Sequence, residues 1–356
     1  MARLRVENLT KQFGLQKAVD NVSFEAKDGE FVVLLGPSGS GKSTVLRMVA
    51  GLESPSSGSI YVDDVPVNGL SPRERDMAMV FQNYALYPHM KIFDNIALPL
   101  QVRRLDDAEI TKRVNATAEL LQISRLLEKK PSEISGGEQQ RVALARAVVR
   151  NPKVFLFDEP LSNLDAKLRV MARGFLKRLQ KELKVTTVYV THDQAEAMTM
   201  ADRIAVLNSG KLVQMAGPTE IYKEPIDLFV AGFVGSPPMN LLDGRLMEEG
   251  GGTYFAAGPL RWKVELTGKR TADVVLGVRP EDIMVMDAPE PGAFRATIYV
   301  AEPLGSVQYL TLDAQGTKLL AQVGPSYDAV LNKEVYCGFG DRTTYLFDRE
   351  SGQRLA

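Results

Sequence analysis

From the N-terminus to about Val234, short apolar runs rich in Val, Ile and Phe alternate with segments whose apolar positions recur at helical spacing. Phe31 to Leu35, Val154 to Phe157 and Thr186 to Val190 read as strands, the first two apolar at every position as in strands covered on both faces. Ile110, Val114, Ala118 and Leu121 share one helical face, as do Leu164, Leu168, Met171, Phe175, Leu179 and Leu183, which predicts two amphipathic helices facing a core. The expectation is an α/β domain, a sheet with helices packed on it. Gly235-Ser236-Pro237-Pro238 breaks the pattern, and the boundary is placed there, with domains 1–235 and 236–356. Beyond it come short β runs with no long helical stripe: Asp273 to Val278, Phe294 to Val300, Tyr309 to Asp313, Lys318 to Val323 and Tyr345 to Asp348. Their even spacing suits a small barrel.

A length of 356 residues agrees with two or three domains. The balance of 43 Lys and Arg against 44 Asp and Glu gives no sequence-independent attraction to nucleic acid or anionic lipid. With Cys337 alone, an internal disulfide is excluded, and a reducing cytoplasm fits best. The first residues alternate charged and apolar like a strand and carry no secretory signal, so they read as mature protein. The longest apolar runs fall far short of the roughly 20 residues that span a bilayer, so a membrane role is expected to come through a partner.

The chemistry begins where Phe31 to Leu35 runs into Gly36-Pro37-Ser38-Gly39-Ser40-Gly41-Lys42-Ser43-Thr44 and then a helical segment, the strand, glycine loop and helix of a P-loop. Glycine lets successive amides curl inward, and the helix start adds free N–H groups and a positive dipole end, so polyphosphate is the natural guest. Lys42 would reach the outer phosphates and the Ser43 hydroxyl would supply an oxygen to Mg²⁺. The strand Val154 to Phe157 ends in Asp158-Glu159-Pro160, where Asp158 can hold Mg²⁺ through its water shell and Glu159 can polarise the water that attacks the γ-phosphate. Thr186 to Val190 ends at Thr191-His192-Asp193, which lets His192 reach the same sheet edge. Ser135-Gly136-Gly137-Glu138 opens another helix, a second place where free amides meet an anion.

In their order, Phe13, Gly36 to Thr44, Gln82, Ser135 to Glu138, Asp158-Glu159, Ser162-Asn163-Leu164-Asp165 and His192 resemble the motif set of ATP-binding-cassette ATPases, over nearly the whole first domain. The resemblance implies an α/β P-loop NTPase fold with a helical subdomain at about 84–150, ATP and Mg as ligands, and a composite site. In that site two subunits sandwich each nucleotide, the P-loop of one facing Ser135-Gly136-Gly137 of the other. By the same resemblance Phe13 would stack on adenine, Gln82 would sense Mg²⁺ and the attacking water, His192 would contact the γ-phosphate, and Ser162 to Asp165 would couple the two sites. The chain departs from the family at Glu138-Gln139, where Gln-Arg is more frequent. A carboxylate there is favoured by the helix dipole and repelled by triphosphate, so Glu138 is expected to point away from the nucleotide.

The run Phe229 to Leu242, then Gly277 to Ile283 and Glu302 to Ser306, looks like the linker and OB-type barrel (TOBE region) of maltose-type carbohydrate importers. That resemblance implies a homodimeric ATPase subunit on the cytoplasmic face of the membrane. Its partners would be two transmembrane permease subunits and, indirectly, an extracytoplasmic solute-binding protein, with no nucleic acid. Ala85, Leu86 and Tyr87 are candidates for the groove that receives a permease helix, and Trp262 and Cys337 for packing. The solute would be a carbohydrate or glycerol phosphate, although polyamine, sulfate and metal importers have similar ATPases. A soluble cassette ATPase acting on DNA or ribosomes should instead carry a coiled-coil insertion, tandem cassettes or a basic face, and none is visible in the sequence. A non-catalytic nucleotide-binding regulator is disfavoured because both Lys42 and Glu159 are present.

Overall fold

The computed structural model describes residues 2–258, 260–264, 272–339 and 344–355. Two compact units divide at Met1–Thr219 and Glu220–Ala356. In the first, the elements run β1 (Leu4–Phe13), β2 (Gln16–Ala26), β3 (Phe31–Leu35), α1 (Lys42–Ala50), β4 (Ser57–Val62), β5 (Val65–Pro66), β6 (Met77–Val80), α2 (Ile92–Val102), α3 (Asp107–Leu120), α4 (Gly136–Val148), β7 (Val154–Asp158), α5 (Ala166–Leu183), β8 (Thr186–Thr191), α6 (Gln194–Met200), β9 (Arg203–Asn208) and β10 (Lys211–Ala216). One sheet is antiparallel, in the order β2-β1-β4-β5; the other has six strands, β10-β9-β3-β8-β7-β6. In the larger sheet every pairing from β9 to β6 is parallel.

Burial explains the two strand patterns. Every residue of β3, β7 and β8 is buried, because parallel strands carry helices or a second sheet on both faces. Strand β1 instead alternates at its start, Leu4 and Val6 inward and Arg5 outward. Helix α1 lies in the core that both sheets share: Val45, Leu46, Met48 and Val49 cluster with Leu4 and Leu9 of β1, Ile60 of β4, and Leu34, Leu156 and Val188 of the parallel strands. The helix ends at Gly51, whose φ of 77° and amide bond to the Met48 carbonyl form a left-handed cap.

The two expected amphipathic helices behave differently. In α3, Ile110, Val114 and Ala118 are buried as the spacing predicts, and Asp106 caps the helix at the Ala108 amide, 2.8 Å away. In α5 the buried residues are Leu176, Leu179 and Gln180, whereas Met171 is 60% exposed. The expectation of one continuous core-facing stripe is therefore corrected. Leu164 just before the helix and Leu179 near its end are buried, whereas Leu168, Met171 and Phe175 between them line a cavity of about 280 Å³ with the start of α4.

The second unit builds two antiparallel five-stranded sheets. One orders strands 260–263, 252–257, 240–249, 273–278 and 344–348, the other 283–286, 334–339, 294–303, 308–314 and 317–323. Their inner faces share a core that includes Phe255, Leu276, Ile298, Leu312 and Phe339. Trp262 packs on Phe339 with ring centroids 4.8 Å apart, and burial pushes the Cys337 thiol up to about 12. Helix Leu228–Phe233 belongs to this unit, since Ala231 packs with Met239, Val275 and Phe347. The unit therefore begins before the Gly235 break, because the helix preceding that break has its apolar partners there. No helix among the described residues is long and apolar enough to cross a membrane.

Candidate functional site

Strand register brings the sequence motifs to one edge. Leu35 of β3 pairs with Thr191 of β8, and Val190 of β8 pairs with Asp158 of β7, so the chain leaves all three strands at one level. At that level emerge the loop from Gly36, the Asp158-Glu159 pair and His192. Strand β6 joins the set, because Val80 pairs with Phe157 and places Gln82 level with Glu159.

Close approach demands glycine at two positions of the loop. A Cβ on Gly36 would run into the Leu207 carbonyl, and one on Gly41, whose φ is 96°, would lie 2.5 Å from the Ala18 carbonyl oxygen. The contact with Ala18 also seats the β1–β2 hairpin beside the loop. Phe13 stands at that hairpin's tip, half exposed, with the Lys11 ammonium 4.9 Å from its ring centroid.

Inside the loop, the Lys42 ammonium donates to the Gly36 and Pro37 carbonyls, both at 2.8 Å, and lies 3.4 Å from Ser40 Oγ. Burial lowers the Lys42 pKa, while the charges of Glu159 and Asp158 pull it back up. Ser43 Oγ donates to Asp158 Oδ1 at 2.7 Å, and Arg47 approaches the other carboxylate oxygen at 4.0 Å. Glu159 adopts a left-handed φ of 47° that turns its side chain out of the strand end, where Oε2 lies 3.1 Å from His192 Nδ1.

Behind His192 is a buried network that was not read from the sequence. Glu196 accepts from Tyr189 OH at 2.8 Å and from Thr191 Oγ1 at 2.7 Å, and Thr191 Oγ1 in turn accepts the Asp193 amide at 2.9 Å. Burial pushes the Glu196 carboxyl pKa up. The network fixes the turn on which His192 stands. The side-chain identities were visible, but nothing in their spacing shows that they converge.

The Ser162 to Asp165 stretch is tied to both sides. Ser162 Oγ donates to the Glu159 carbonyl at 2.9 Å, Asn163 Nδ2 donates to the Gln82 carbonyl at 2.8 Å, and Asp165 caps α5 at the Leu168 amide. Ser135 caps α4, and Glu138 completes a capping box: its carboxylate takes the Ser135 amide at 2.9 Å and the Arg125 guanidinium at 2.6 Å. The Ser135 amide and hydroxyl, with Arg125, hold the Glu138 carboxyl below the usual carboxylate range. Among the described residues, no hydrogen bond or ion pair joins Ser135 or Glu138 to residues 36–44. Gly136 and Gly137 of the same helix start face Leu164, just before α5, and Leu168 of α5 instead.

The capping box makes a direct prediction. Gln in place of Glu138 can still accept the Ser135 amide, so Glu138→Gln should leave ATP affinity and turnover within about twofold. A large rise in affinity, measured by nucleotide titration, would show that the carboxylate faces the phosphates after all.

Beyond Gln82, a cavity of about 450 Å³ is lined by Met77, Met79, Ala85, Tyr87, Leu98 and Val102, with arginines at positions 73, 103, 146 and 150. Ala85 and Tyr87 are exposed there, while Leu86 is not part of the lining.

Residues 19–162 match the ABC transporter family and residues 235–283 match the MalK OB fold domain. The chain is 48% identical over 374 residues to the trehalose/maltose import ATP-binding protein MalK of Thermococcus litoralis, covering 100% of both chains. It is 51% identical over 308 residues to the sn-glycerol-3-phosphate import ATP-binding protein UgpC of Psychromonas ingrahamii, covering 86% of this chain and 81% of that one. Among solved structures it resembles the dimeric post-hydrolysis state of the ATP-binding cassette MJ0796 bound to ADP and Pi, with a TM-score of 0.55 and 34% identity over 60% of this chain and 98% of that one.

Proposed function

Because the chain belongs to the ATP-binding-cassette family of import ATPases and carries the OB-type second domain of its MalK branch, we propose that it hydrolyses ATP as the homodimeric motor of a carbohydrate or glycerol-phosphate importer. The observation that carries this reading is the common level at which the Gly36 loop that carries Lys42, the Asp158-Glu159 pair and His192 follow adjacent parallel strands. In open α/β sheets ligands bind outside the carboxyl ends of the strands, and these four side chains supply a phosphate grip, a metal ligand, a base and its neighbour there.

ATP binding would transfer the Lys42 ammonium from the Gly36 and Pro37 carbonyls to phosphate oxygens, while the amides of the loop and the first turn of α1 take the rest of the negative charge. Phe13, on the hairpin beside the loop, offers its exposed ring to the base. Glu159 takes a proton from the attacking water, and His192, placed against Glu159, contacts the terminal phosphate. The Ser43 hydroxyl and Asp158 carboxylate, 2.7 Å apart, are a hard oxygen pair that fits Mg²⁺, and Gln82 stands level with them. Bound there, the metal would neutralise charge on the phosphates.

Ser135 and its glycines sit at a helix start that the chain's own loop does not engage, which supports completion of each site by a second copy. The apolar cavity beside Ala85 and Tyr87 fits an amphipathic helix of a permease, which would place the protein peripherally on the cytoplasmic side of the membrane. The test is isolation of the tagged chain from a detergent extract of its own membranes. Two hydrophobic permease subunits should accompany it, and the complex should hydrolyse ATP. Recovery of an ATPase with DNA or ribosomes and no membrane subunit would overturn the reading.

A further inference from the structure

The loop that follows Gln82 is held by side chains from three different elements. Asn163, just before α5, binds the Gln82 carbonyl at 2.8 Å. Asn95 of α2 is completely buried, accepts the Tyr87 amide at 2.8 Å and donates to the Tyr87 carbonyl at 3.1 Å. Between these two anchors, Arg146 donates from Nη2 to the Tyr84 carbonyl at 2.8 Å and from Nη1 to the Ala85 carbonyl at 2.7 Å. Its guanidinium also lies 5.6 Å from the centroid of the Tyr87 ring.

Two features make this clamp specific. Tyr84 and Ala85 both have left-handed φ values, 59° and 48°, which non-glycine residues adopt only when their surroundings hold them there. The planar fork holds the two successive carbonyls with two separate nitrogens in one fixed plane, a pre-organised geometry that the flexible stem and point charge of a lysine do not reproduce. Among the described residues Arg146 has no carboxylate partner, so its charge rests on these carbonyls and on the aromatic face. Burial lowers its pKa.

The location gives the clamp its meaning. Arg146 stands in the last turn of α4, the helix whose first turn is capped by Ser135. Its neighbours Val142, Ala143, Ala145 and Ala147 are buried, so the helix is seated as a rigid rod in the domain. The arginine thus joins that rod directly to the turn between Gln82 and the apolar cavity.

The geometry points to Arg146 as a positioning residue for hydrolysis: it fixes the Tyr84–Ala85 turn to α4, so that Gln82, the cavity and the serine-glycine helix start move as one body. This deepens the proposed function, on which it rests. Without the clamp, Gln82 would keep Asn163 and the cavity wall at Tyr87 would keep Asn95, and α4 would lose its side-chain hydrogen bonds to the turn, leaving only its packing on α2 and β6 to couple them.

The test compares the full-length chain with Arg146→Gln and Arg146→Lys, reading ATP turnover, melting temperature and amide hydrogen exchange. In Arg146→Gln, exchange in residues 84–90 should accelerate at least about tenfold while α1 and β3 stay protected. The turnover number should fall about tenfold, with KM for ATP within about twofold. Arg146→Lys should recover part of the turnover and little of the protection, since a flexible ammonium keeps the charge near the turn without the rigid fork that fixes both carbonyls. Unchanged exchange in 84–90 would overturn the proposal, as would native turnover in Arg146→Gln. So would loss of protection throughout the domain together with a rise in KM, which would mark a purely structural role. If the native chain hydrolysed no ATP, the functional reading would fail, and the exchange data would still decide whether Arg146 fixes the turn.

Discussion

With Gln in place of Glu159, the protein should still bind ATP and should hydrolyse it about 10²–10⁴-fold more slowly, the range that one positioned general base contributes. The substitution is nearly isosteric and leaves the left-handed backbone at this position, the amide bond to the Val190 carbonyl and the Ser162 bond to the Glu159 carbonyl in place. What it removes is the capacity to take a proton at the oxygen beside His192. Binding contributed by the glycine loop and Lys42 does not depend on that oxygen. Nucleotide should therefore accumulate unhydrolysed and hold two copies together, visible as an ATP-dependent dimer by size-exclusion chromatography. Hydrolysis at the native rate in single-turnover measurements would remove Glu159 from the role of base.

Lys42→Ala should act on the opposite side of the reaction and fail at both stages. Loss of the ammonium withdraws the loop's one buried cation from the phosphates, an effect of about 10²–10³-fold on turnover by comparison with other preorganised stabilisers of developing charge. It also strips the Gly36 and Pro37 carbonyls of their shared donor. ATP affinity should fall along with turnover, which separates this variant from Glu159→Gln, where affinity is kept. Arg is not expected to rescue it, because the Lys42 side chain is only 5% exposed and a planar fork does not fit where a compact ammonium is enclosed. Titration with a fluorescent ATP analogue gives the affinity, and phosphate release gives the rate. Native affinity in Lys42→Ala would mean that the loop amides alone carry the nucleotide.

The parts legible in the sequence were those in which side-chain type and local spacing decide the structure. The glycine loop could be located because an all-apolar strand leads in and a helical run leads out, and Asp158-Glu159 because a proline ends the strand beside it. The second unit was legible as all-β in the even spacing of its short strands, and as OB-type only through the resemblance of the runs Phe229 to Leu242, Gly277 to Ile283 and Glu302 to Ser306. Other features depend on partners distant in sequence. The stripe from Leu164 to Leu183 has helical period along its whole length, but period does not say which of its residues meet the core: Leu164 and Leu179 are buried and Met171 stays exposed. The Arg146 clamp ends on main-chain carbonyls, which leave no mark in the residue letters at positions 84 and 85. Helix Leu228–Phe233 looks like the tail of the first domain until its contact with Phe347 is known.

The two carbonyls that hold Lys42 have a further consequence. Fixing a residue's backbone costs roughly 1–2 kcal/mol in conformational entropy, and a flexible loop would incur that loss on each encounter with its guest. Here the ammonium and the left-handed glycines settle the loop's shape during folding, so arrival of a guest becomes an exchange of acceptors on a finished surface. Such a surface would select by replacement, favouring a guest whose oxygens take over both hydrogen bonds that the Gly36 and Pro37 carbonyls now accept.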